Sequence, residues 1–153
     1  MKTAIFRLIA ACSLAASFAP TPWMESLAVA AEPIVFGLVD EVTGPQAEAG
    51  VLTAQGAKLA IEEINAAGGI MGRQVELRIE DNQSANPTTV LAYTKLIEAG
   101  VVAVIGPLRS TQVQAASPTI AKSKVPAVIG GSDPSLTRVN NPWIFRVRPN
   151  DLY

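Results

Sequence analysis

Residues 101–111 read Val-Val-Ala-Val-Ile-Gly-Pro-Leu-Arg-Ser-Thr, an apolar run that ends in glycine and proline and continues into hydroxyl side chains. A short apolar run of this kind is typical of a strand buried on both faces of a sheet. The residues from Thr111 to about Ser123 then favour a helix, in which Pro118 is expected to cause a local irregularity. The segment therefore predicts a buried strand that leads directly into a helix.

The same pattern of a strand followed by a helix extends in both directions along the chain. Apolar or alternating runs predict further strands at 34–39, 75–79, 126–129 and 143–147, and helical spacing predicts helices near 54–64 and 87–99. The glycines of 68–72 follow a helix and precede a strand, which indicates a helix end and a turn rather than a phosphate loop. Alternating strands and helices predict an α/β fold with a mostly parallel, Rossmann-like sheet flanked by helices.

Composition limits the functions that this chain can have. Its 153 residues contain 12 Lys+Arg against 13 Asp+Glu, so no cationic excess favours nucleic acid as a partner. The absence of histidine removes the commonest general base and metal ligand. Asp40, Glu41 and Asp81 are acidic residues at strand ends, but no second cluster of ligands accompanies them. We therefore expect a protein that is not an enzyme and holds no metal or cofactor.

The N-terminus has the pattern of a secretory signal peptide. Lys2 and Arg7 precede the uncharged apolar run 8–19, and Ala28-Val29-Ala30 supplies the small residues of a cleavage site. We therefore expect residues 1–30 to be a signal peptide, residues 31–153 to form the exported domain, and the mature protein to be periplasmic. Lipoprotein anchoring at Cys12 is the alternative, and the charge of Arg7 within the short apolar run before this cysteine argues against it.

The loops at the carboxyl ends of the strands are the candidate binding site, because ligands of parallel sheets bind there. At 106–111 a strand ends and a helix begins, so free backbone N–H groups and the hydroxyls of Ser110 and Thr111 would face an anion such as a carboxylate. The alternative is that one of these hydroxyls caps the helix. Arg109 could bind a second acidic group, although we expect its side chain to extend into solvent.

The loop 130–134 follows the next strand and should lie beside the first loop. Its sequence, Gly-Gly-Ser-Asp-Pro, offers hydroxyl, carboxylate and carbonyl acceptors to an ammonium group. An ordinary turn stabilised by the serine or aspartate side chain would explain the same residues. Together the two loops predict a site for a small solute that carries both a carboxylate and an ammonium group.

These features resemble the periplasmic solute-binding proteins of branched-chain amino acid ABC transporters, the type I or leucine-isoleucine-valine-binding family. The resemblance covers about 33–153, and the helix and glycine segment 56–73, Gly-Ala-Lys-Leu-Ala-Ile-Glu-Glu-Ile-Asn-Ala-Ala-Gly-Gly-Ile-Met-Gly-Arg, is its most specific part. Thr43-Gly44-Pro45, Asp81-Asn82, Val104-Ile105-Gly106-Pro107 and Pro134-Ser135-Leu136-Thr137 complete it.

The resemblance implies a two-lobed protein that closes on its ligand and delivers it to a membrane permease. It implies that Ser110 and the backbone near Leu108 and Arg109 bind the ligand carboxylate, and that the loop of Gly131, Ser132 and Asp133 binds the ammonium group. A small amino acid or related carboxylate is the expected ligand, and a monomer is the expected state. Ala49 and Arg109 depart from the family pattern, which has an aromatic and a small residue there.

Residues 149–153 have the sequence of a helix beginning, so we expect this chain to be an incomplete first lobe without the second lobe. Weak or undetectable ligand binding by the chain alone would follow. Two other functions remain open from sequence. One is an extracytoplasmic ligand-sensing domain of a receptor, and the other is an exported α/β hydrolase, against which the lack of histidine argues.

Overall fold

A computed structural model describes residues 31–152 of the chain. The predicted signal peptide and Cys12 lie outside the described residues. Within 31–152 the chain forms five strands, three α-helices and one short 3-10 helix. The strands are β1 (Ile34–Asp40), β2 (Val75–Asp81), β3 (Ala103–Ile105), β4 (Ala127–Ile129) and β5 (Ile144–Arg146). The helices are α1 (Ala47–Ala66), α2 (Asn86–Glu98) and α3 (Ser110–Ser123), and the 3-10 helix spans Pro134–Thr137.

The five strands form one parallel sheet in the order β2-β1-β3-β4-β5. In its central register, Leu38 of β1 lies opposite Ile79 of β2 and Ile105 of β3. The strand order reverses between β1 and β3, because the chain adds β2 on one side of β1 and all later strands on the other. This architecture confirms the predicted α/β fold with a parallel sheet flanked by helices.

The hydrophobic core lies between the sheet and the helices α2 and α3. Tyr93 and Leu96 of α2 pack there with Val104 of β3 and with Val113 and Ile120 of α3, all essentially inaccessible to solvent. Helix α1 contacts β1 and β2. Since successive residues of a strand point to opposite faces, Leu38 and Asp40 of β1 point away from this core.

Gly37 of β1 faces α2 at a point where the packing is too close for a side chain. A Cβ at this position would lie 2.7 Å from Cδ1 of Leu96. The absence of a Cβ therefore lets the helix pack directly on the strand.

The turn after α1 confirms the interpretation of the glycine segment. Gly68 and Gly69 have positive φ angles, and the amide of Gly69 donates to the carbonyl of Ile64, which closes the helix end. Ile70 and Arg73 then form an isolated antiparallel bridge that leads into β2. The segment is thus a helix end and a turn.

Helix α3 differs from its prediction in two respects. It begins at Ser110, one residue earlier than expected, and it continues through Pro118 to Ser123 without interruption. The expected irregularity at Pro118 was wrong. The buried residues Val113, Ala116 and Ile120 anchor the helix on both sides of the proline, whose own ring is exposed, so tertiary packing outweighs the lost backbone hydrogen bond.

The final described residues form a turn in which the amide of Leu152 donates to the Asn150 side chain at 2.9 Å. None of the helices within residues 31–152 combines the length and the hydropathy that a membrane span requires.

Candidate functional site

The two predicted junctions lie side by side at the carboxyl edge of the sheet. The amide of Gly106 donates to the carbonyl of Val128 at 2.8 Å, and the amide of Gly130 donates to the carbonyl of Pro107 at 3.1 Å. The predicted convergence of the β3–α3 junction, residues 106–110, and the β4 loop, residues 130–133, is therefore confirmed.

A hydrogen bond joins the two candidate polar groups of these loops. The Ser110 hydroxyl accepts from the amide of Asp133 at 3.1 Å. Its own hydrogen can then be donated to a ligand, because a hydroxyl is both donor and acceptor. Ser110 and Asp133 thus form one polar surface contributed by both junctions.

Glycine allows the loops to approach this closely. A Cβ on Gly131 would lie 3.2 Å from Cα of Ser110 and 2.6 Å from Cδ1 of Leu136. A Cβ on Gly130 would lie 2.7 Å from Cδ1 of Leu108. The Leu108 side chain thus packs over the start of the second loop. The backbone of Leu108, and not its side chain, is therefore the part that could contact a ligand.

The beginning of α3 has no side-chain cap. Arg109 is the N-cap residue, in an extended conformation, and makes no capping hydrogen bond with its side chain. The alternative that Ser110 or Thr111 caps the helix is therefore wrong. The first N–H groups of a helix have no partner within it, so those of α3 are suited to an anion beside Ser110. Tyr93 supports the junction by donating its buried hydroxyl to the carbonyl of Gly106 at 2.6 Å.

Asp133 stabilises the turn of its loop and also presents a carboxylate at the site, so both interpretations of this loop apply to it. Oδ1 of Asp133 accepts from the amide of Ser135 at 2.8 Å, which is the turn predicted as the ordinary explanation, and Oδ2 accepts from Nε2 of Gln114 at 3.2 Å. Hydrogen bonds from Ser135 lower the pKa of the Asp133 carboxyl below its usual value, with smaller contributions from Arg146 and Gln114. A fixed, ionised carboxylate of this kind suits an ammonium group.

Ser132 contributes to the loop through its backbone carbonyl. This carbonyl accepts from the amide of Asp151 at 3.1 Å. Nη1 of Arg146 donates to the neighbouring carbonyl of Asp133 at 2.9 Å. These contacts fix the loop from the side of β5, and Ser132 remains half-buried beside Asp133.

The expectation for Arg109 was wrong, because its side chain does not simply extend into solvent. Nε of Arg109 donates to Oε1 of Glu41 at 2.6 Å, and Nη2 donates to Oε1 of Gln46. The Arg109 side chain is 39% exposed, whereas that of Glu41 is fully buried. A buried carboxylate strongly favours a paired cation, which explains the orientation of the guanidinium. Arg109 therefore binds an acidic group from within the protein.

The end of β1 carries two buried acidic residues in succession. Burial raises the pKa of Asp40 to about 6, and the negative charge of neighbouring Glu41 acts in the same direction. Asp40 Oδ2 and Glu41 Oε2 have no hydrogen-bond partner among the described residues. Asp40 also lines a cavity of about 200 Å³ that reaches Gly106 and Gly130. Within residues 31–152, no group of three or more potential metal ligands is found.

The β2 loop joins the β1 loop at the same edge. Oδ1 of Asp81 accepts from the amides of Val42 and Thr43 at 3.0 and 3.1 Å, and the Thr43 hydroxyl donates to Oδ2. Desolvation by itself raises the pKa of Asp81, but these hydrogen bonds and one from the amide of Gln83 outweigh it and lower the pKa below its usual value. Asp81 therefore acts as a structural connection between loops.

Comparison with known proteins assigns the chain to a family. Residues 33–151 match the family model described as periplasmic binding protein. The chain therefore belongs to the class of periplasmic binding proteins, and specifically to this family.

Two curated relatives are named for their amino acid ligands. A Leu/Ile/Val-binding protein homolog of Brucella suis is 31% identical over 144 residues, which are 94% of this chain and 35% of that protein. The leucine-, isoleucine-, valine-, threonine- and alanine-binding protein of Pseudomonas aeruginosa is 38% identical over 92 residues, which are 60% of this chain and 25% of that protein. The chain thus spans about a third or less of these relatives.

A solved structure has the same fold. The substrate-binding protein of a branched-chain amino acid transporter of Streptococcus pneumoniae, in complex with isoleucine, superimposes with a TM-score of 0.75 at 34% identity. The alignment covers 78% of this chain and 34% of that one. The resemblance drawn from the sequence is therefore confirmed.

Proposed function

We propose that this chain supplies one half of an extracytoplasmic amino acid binding site that serves an ABC transporter. The first junction offers the Ser110 hydroxyl and the N–H groups of α3 to the ligand carboxylate. The second offers the carboxylate of Asp133 to the ammonium group. Leu108, Arg109, Gly131 and Ser132 complete the two loops. Membership of a family whose named relatives bind leucine, isoleucine and valine supports this assignment.

One observation carries the proposal, namely the contact between the Ser110 hydroxyl and the Asp133 amide across the two junctions. It brings donors for an anion and an acceptor for a cation onto one surface. The two charged ends of an α-amino acid lie on one carbon atom and need such neighbouring partners. Binding would replace water around the zwitterion by oriented donors and acceptors, without any covalent step.

In the proposed whole protein, a second lobe would supply the remaining contacts and the ligand would favour the closed arrangement of the lobes. A membrane permease would then receive the solute. We further propose export through cleavage of residues 1–30 and a monomeric state. A receptor's ligand-sensing domain would use the same site, and the family assignment favours transport over the hydrolase alternative.

The proposal is tested by titrating the ¹⁵N-labelled protein with leucine, N-acetylleucine and leucine amide. Only leucine has both a free ammonium and a free carboxylate group. We expect leucine to shift the amide resonances of Ser110 and Asp133, and the two blocked compounds to shift them much less. Equal shifts with all three compounds, or turnover of a simple ester or phosphoester by the protein, would contradict the proposal.

A further inference from the structure

A pocket of about 260 Å³ opens beside the first junction, on the side of the β1–α1 loop. It is lined by Pro45, Gln46, Glu48, Ala49, Leu52 and Arg109. It lies where the strand order reverses between β1 and β3, and ligands of open α/β sheets bind in the crevice at such a reversal. Because Arg109 directly precedes Ser110, the pocket adjoins the surface proposed to bind the ligand carboxylate.

The pocket is polar on the side formed by Arg109. The ion pair with Glu41 and the hydrogen bond to Gln46 use two of the five N–H groups of the guanidinium, and Nη1 makes no hydrogen bond to any residue of 31–152. Arginine only donates, so the oxygen of the Gln46 amide faces it and the NH₂ group of Gln46 is directed elsewhere. The pocket thus retains spare donors, and the Glu48 carboxylate adds an acceptor.

The charged groups at the pocket, Arg109, Glu41 and Glu48, sum to one negative charge. The single positive charge of Arg109 is paired with buried Glu41, and Glu48 contributes a second negative charge at the rim. A ligand side chain ending in a carboxylate would meet an environment without positive excess. A hydrocarbon side chain would displace water from the donors of Arg109 and Gln46 without replacing its hydrogen bonds, which is unfavourable.

We propose that this pocket selects amino acids with a carboxamide side chain over branched-chain amino acids, with Arg109 and Gln46 as the specificity-determining residues. The inference rests on the proposed function, since it assumes that the α-carboxylate binds beside Ser110. A carboxamide oxygen accepts from Arg109, and its NH₂ group donates to Glu48. Ala49 leaves room for the side chain, and Leu52 provides an apolar surface for its methylene groups.

The test compares the affinities of glutamine, leucine and glutamate for the ¹⁵N-labelled protein, read from the amide shifts of Ser110 and Asp133. We expect glutamine to bind about tenfold more tightly than leucine, the effect of one hydrogen bond to a charged donor. Glutamate should bind more weakly than glutamine. Weak binding can be measured in this way, because a ligand that exchanges rapidly shifts each amide resonance in proportion to the bound fraction of the protein.

Two variants assign the selectivity to the pocket. Gln46→Leu changes an exposed side chain and removes the acceptor that orients Nη2 of Arg109 towards the pocket, so it should reduce the preference for glutamine to within about threefold of leucine. The double variant Glu41→Gln with Arg109→Met removes both charges of the buried pair, so no uncompensated charge remains, and should favour leucine. Gln55→Leu is the matched control, because Gln55 is exposed on α1 outside this pocket.

The possible outcomes separate this inference from the proposed function. Leucine binding as tightly as glutamine, with both shifting Ser110 and Asp133, would overturn the inference and leave the proposed function intact. Unchanged selectivity in both pocket variants would overturn it as well. If amino acids and their blocked analogues shift these two amides equally, the proposed function fails and the inference fails with it.

Discussion

A single residue, Gly131, determines how closely the two junctions approach each other. Its missing side chain lets Cα of Ser110 approach the loop, and the amide of Asp133 then reaches the Ser110 hydroxyl. The sequence predicted that these loops would be neighbours, because consecutive strands of a parallel sheet end at one edge. It did not predict the partner of Arg109, since Glu41 is 68 positions away and its burial is a property of the folded chain.

Asp40 provides a test of residue-scale electrostatics. Its pKa is raised from 3.8 to about 6, so the folded protein holds this proton at pH values where the unfolded chain has lost it. The free energy of unfolding should therefore fall as the pH rises from about 4 to about 6. Asp40→Asn removes this loss and should be more stable than the wild type above about pH 6, by about 2 to 3 kcal/mol.

Urea unfolding over this pH range measures how the free energy of unfolding depends on pH. Asp81→Asn is the control, because its effect on stability at neutral pH should be opposite to that of Asp40→Asn. The pKa of Asp81 is lowered, so its carboxylate stabilises the folded state above its unfolded pKa, and stability is lost as the pH falls through its folded pKa. Asp81→Asn should therefore destabilise the protein at neutral pH. A wild type and Asp40→Asn variant with parallel pH profiles would contradict the assignment for Asp40.

Among the secondary-structure elements, helix α3 links the core to the site, because its first turn carries Ser110 and its later turns contribute Val113, Ala116 and Ile120 to the core. The sequence predicted this helix from Thr111 to about Ser123, within one residue of the observed Ser110–Ser123. Periodicity did not predict its passage through Pro118. The strand β3 was expected at 101–105 but spans Ala103–Ile105, the residues that pair with β1. Val101 is buried although it lies outside the strand, so its apolar character reports burial and not strand pairing.

Pro118→Ala should stabilise the protein by about 2 to 3 kcal/mol. Proline in a helix interior is about 3 kcal/mol less favourable than alanine, and the greater freedom of the unfolded alanine variant offsets up to about 1 kcal/mol of that gain. Thermal or urea unfolding measures the change. Pro142→Ala, at an exposed position outside the helices, is the matched control and should lose a few tenths of a kcal/mol. A destabilised Pro118→Ala variant would show that the proline is needed for the packing of α3.

At the scale of the whole molecule, the described residues form one parallel sheet whose last strand is partly open to solvent. Phe145 and Val147, on and after the last strand, are 51% and 73% exposed. The strand-helix alternation predicted the parallel sheet, and the chiral crossover rule limited its topology. The carboxyl edge of the sheet could also be located from the sequence, because it lies where each predicted strand ends. The pocket proposed to receive the ligand side chain could not be located from sequence, because the fold brings its lining together from residues 45–52 and Arg109.

We expect the chain by itself to bind leucine too weakly for a micromolar dissociation constant. The chain spans about a third or less of its two named curated relatives, so it would supply only part of the contacts of the proposed site, and affinity depends steeply on their number. Isothermal titration calorimetry of this chain with leucine tests the expectation. The Streptococcus pneumoniae relative titrated with isoleucine, the ligand in its structure, is the positive control. Micromolar affinity of the chain alone would contradict this expectation.

The most direct test of the binding surface is an isotope-filtered nuclear Overhauser measurement on the labelled protein with unlabelled leucine. The α-proton of leucine lies between the carboxylate and ammonium groups, so a ligand held by both junctions places it near each of them. The account predicts cross-peaks from this proton to the amide protons of both Ser110 and Asp133. Cross-peaks to one junction alone, or to residues away from the carboxyl edge of the sheet, would contradict it.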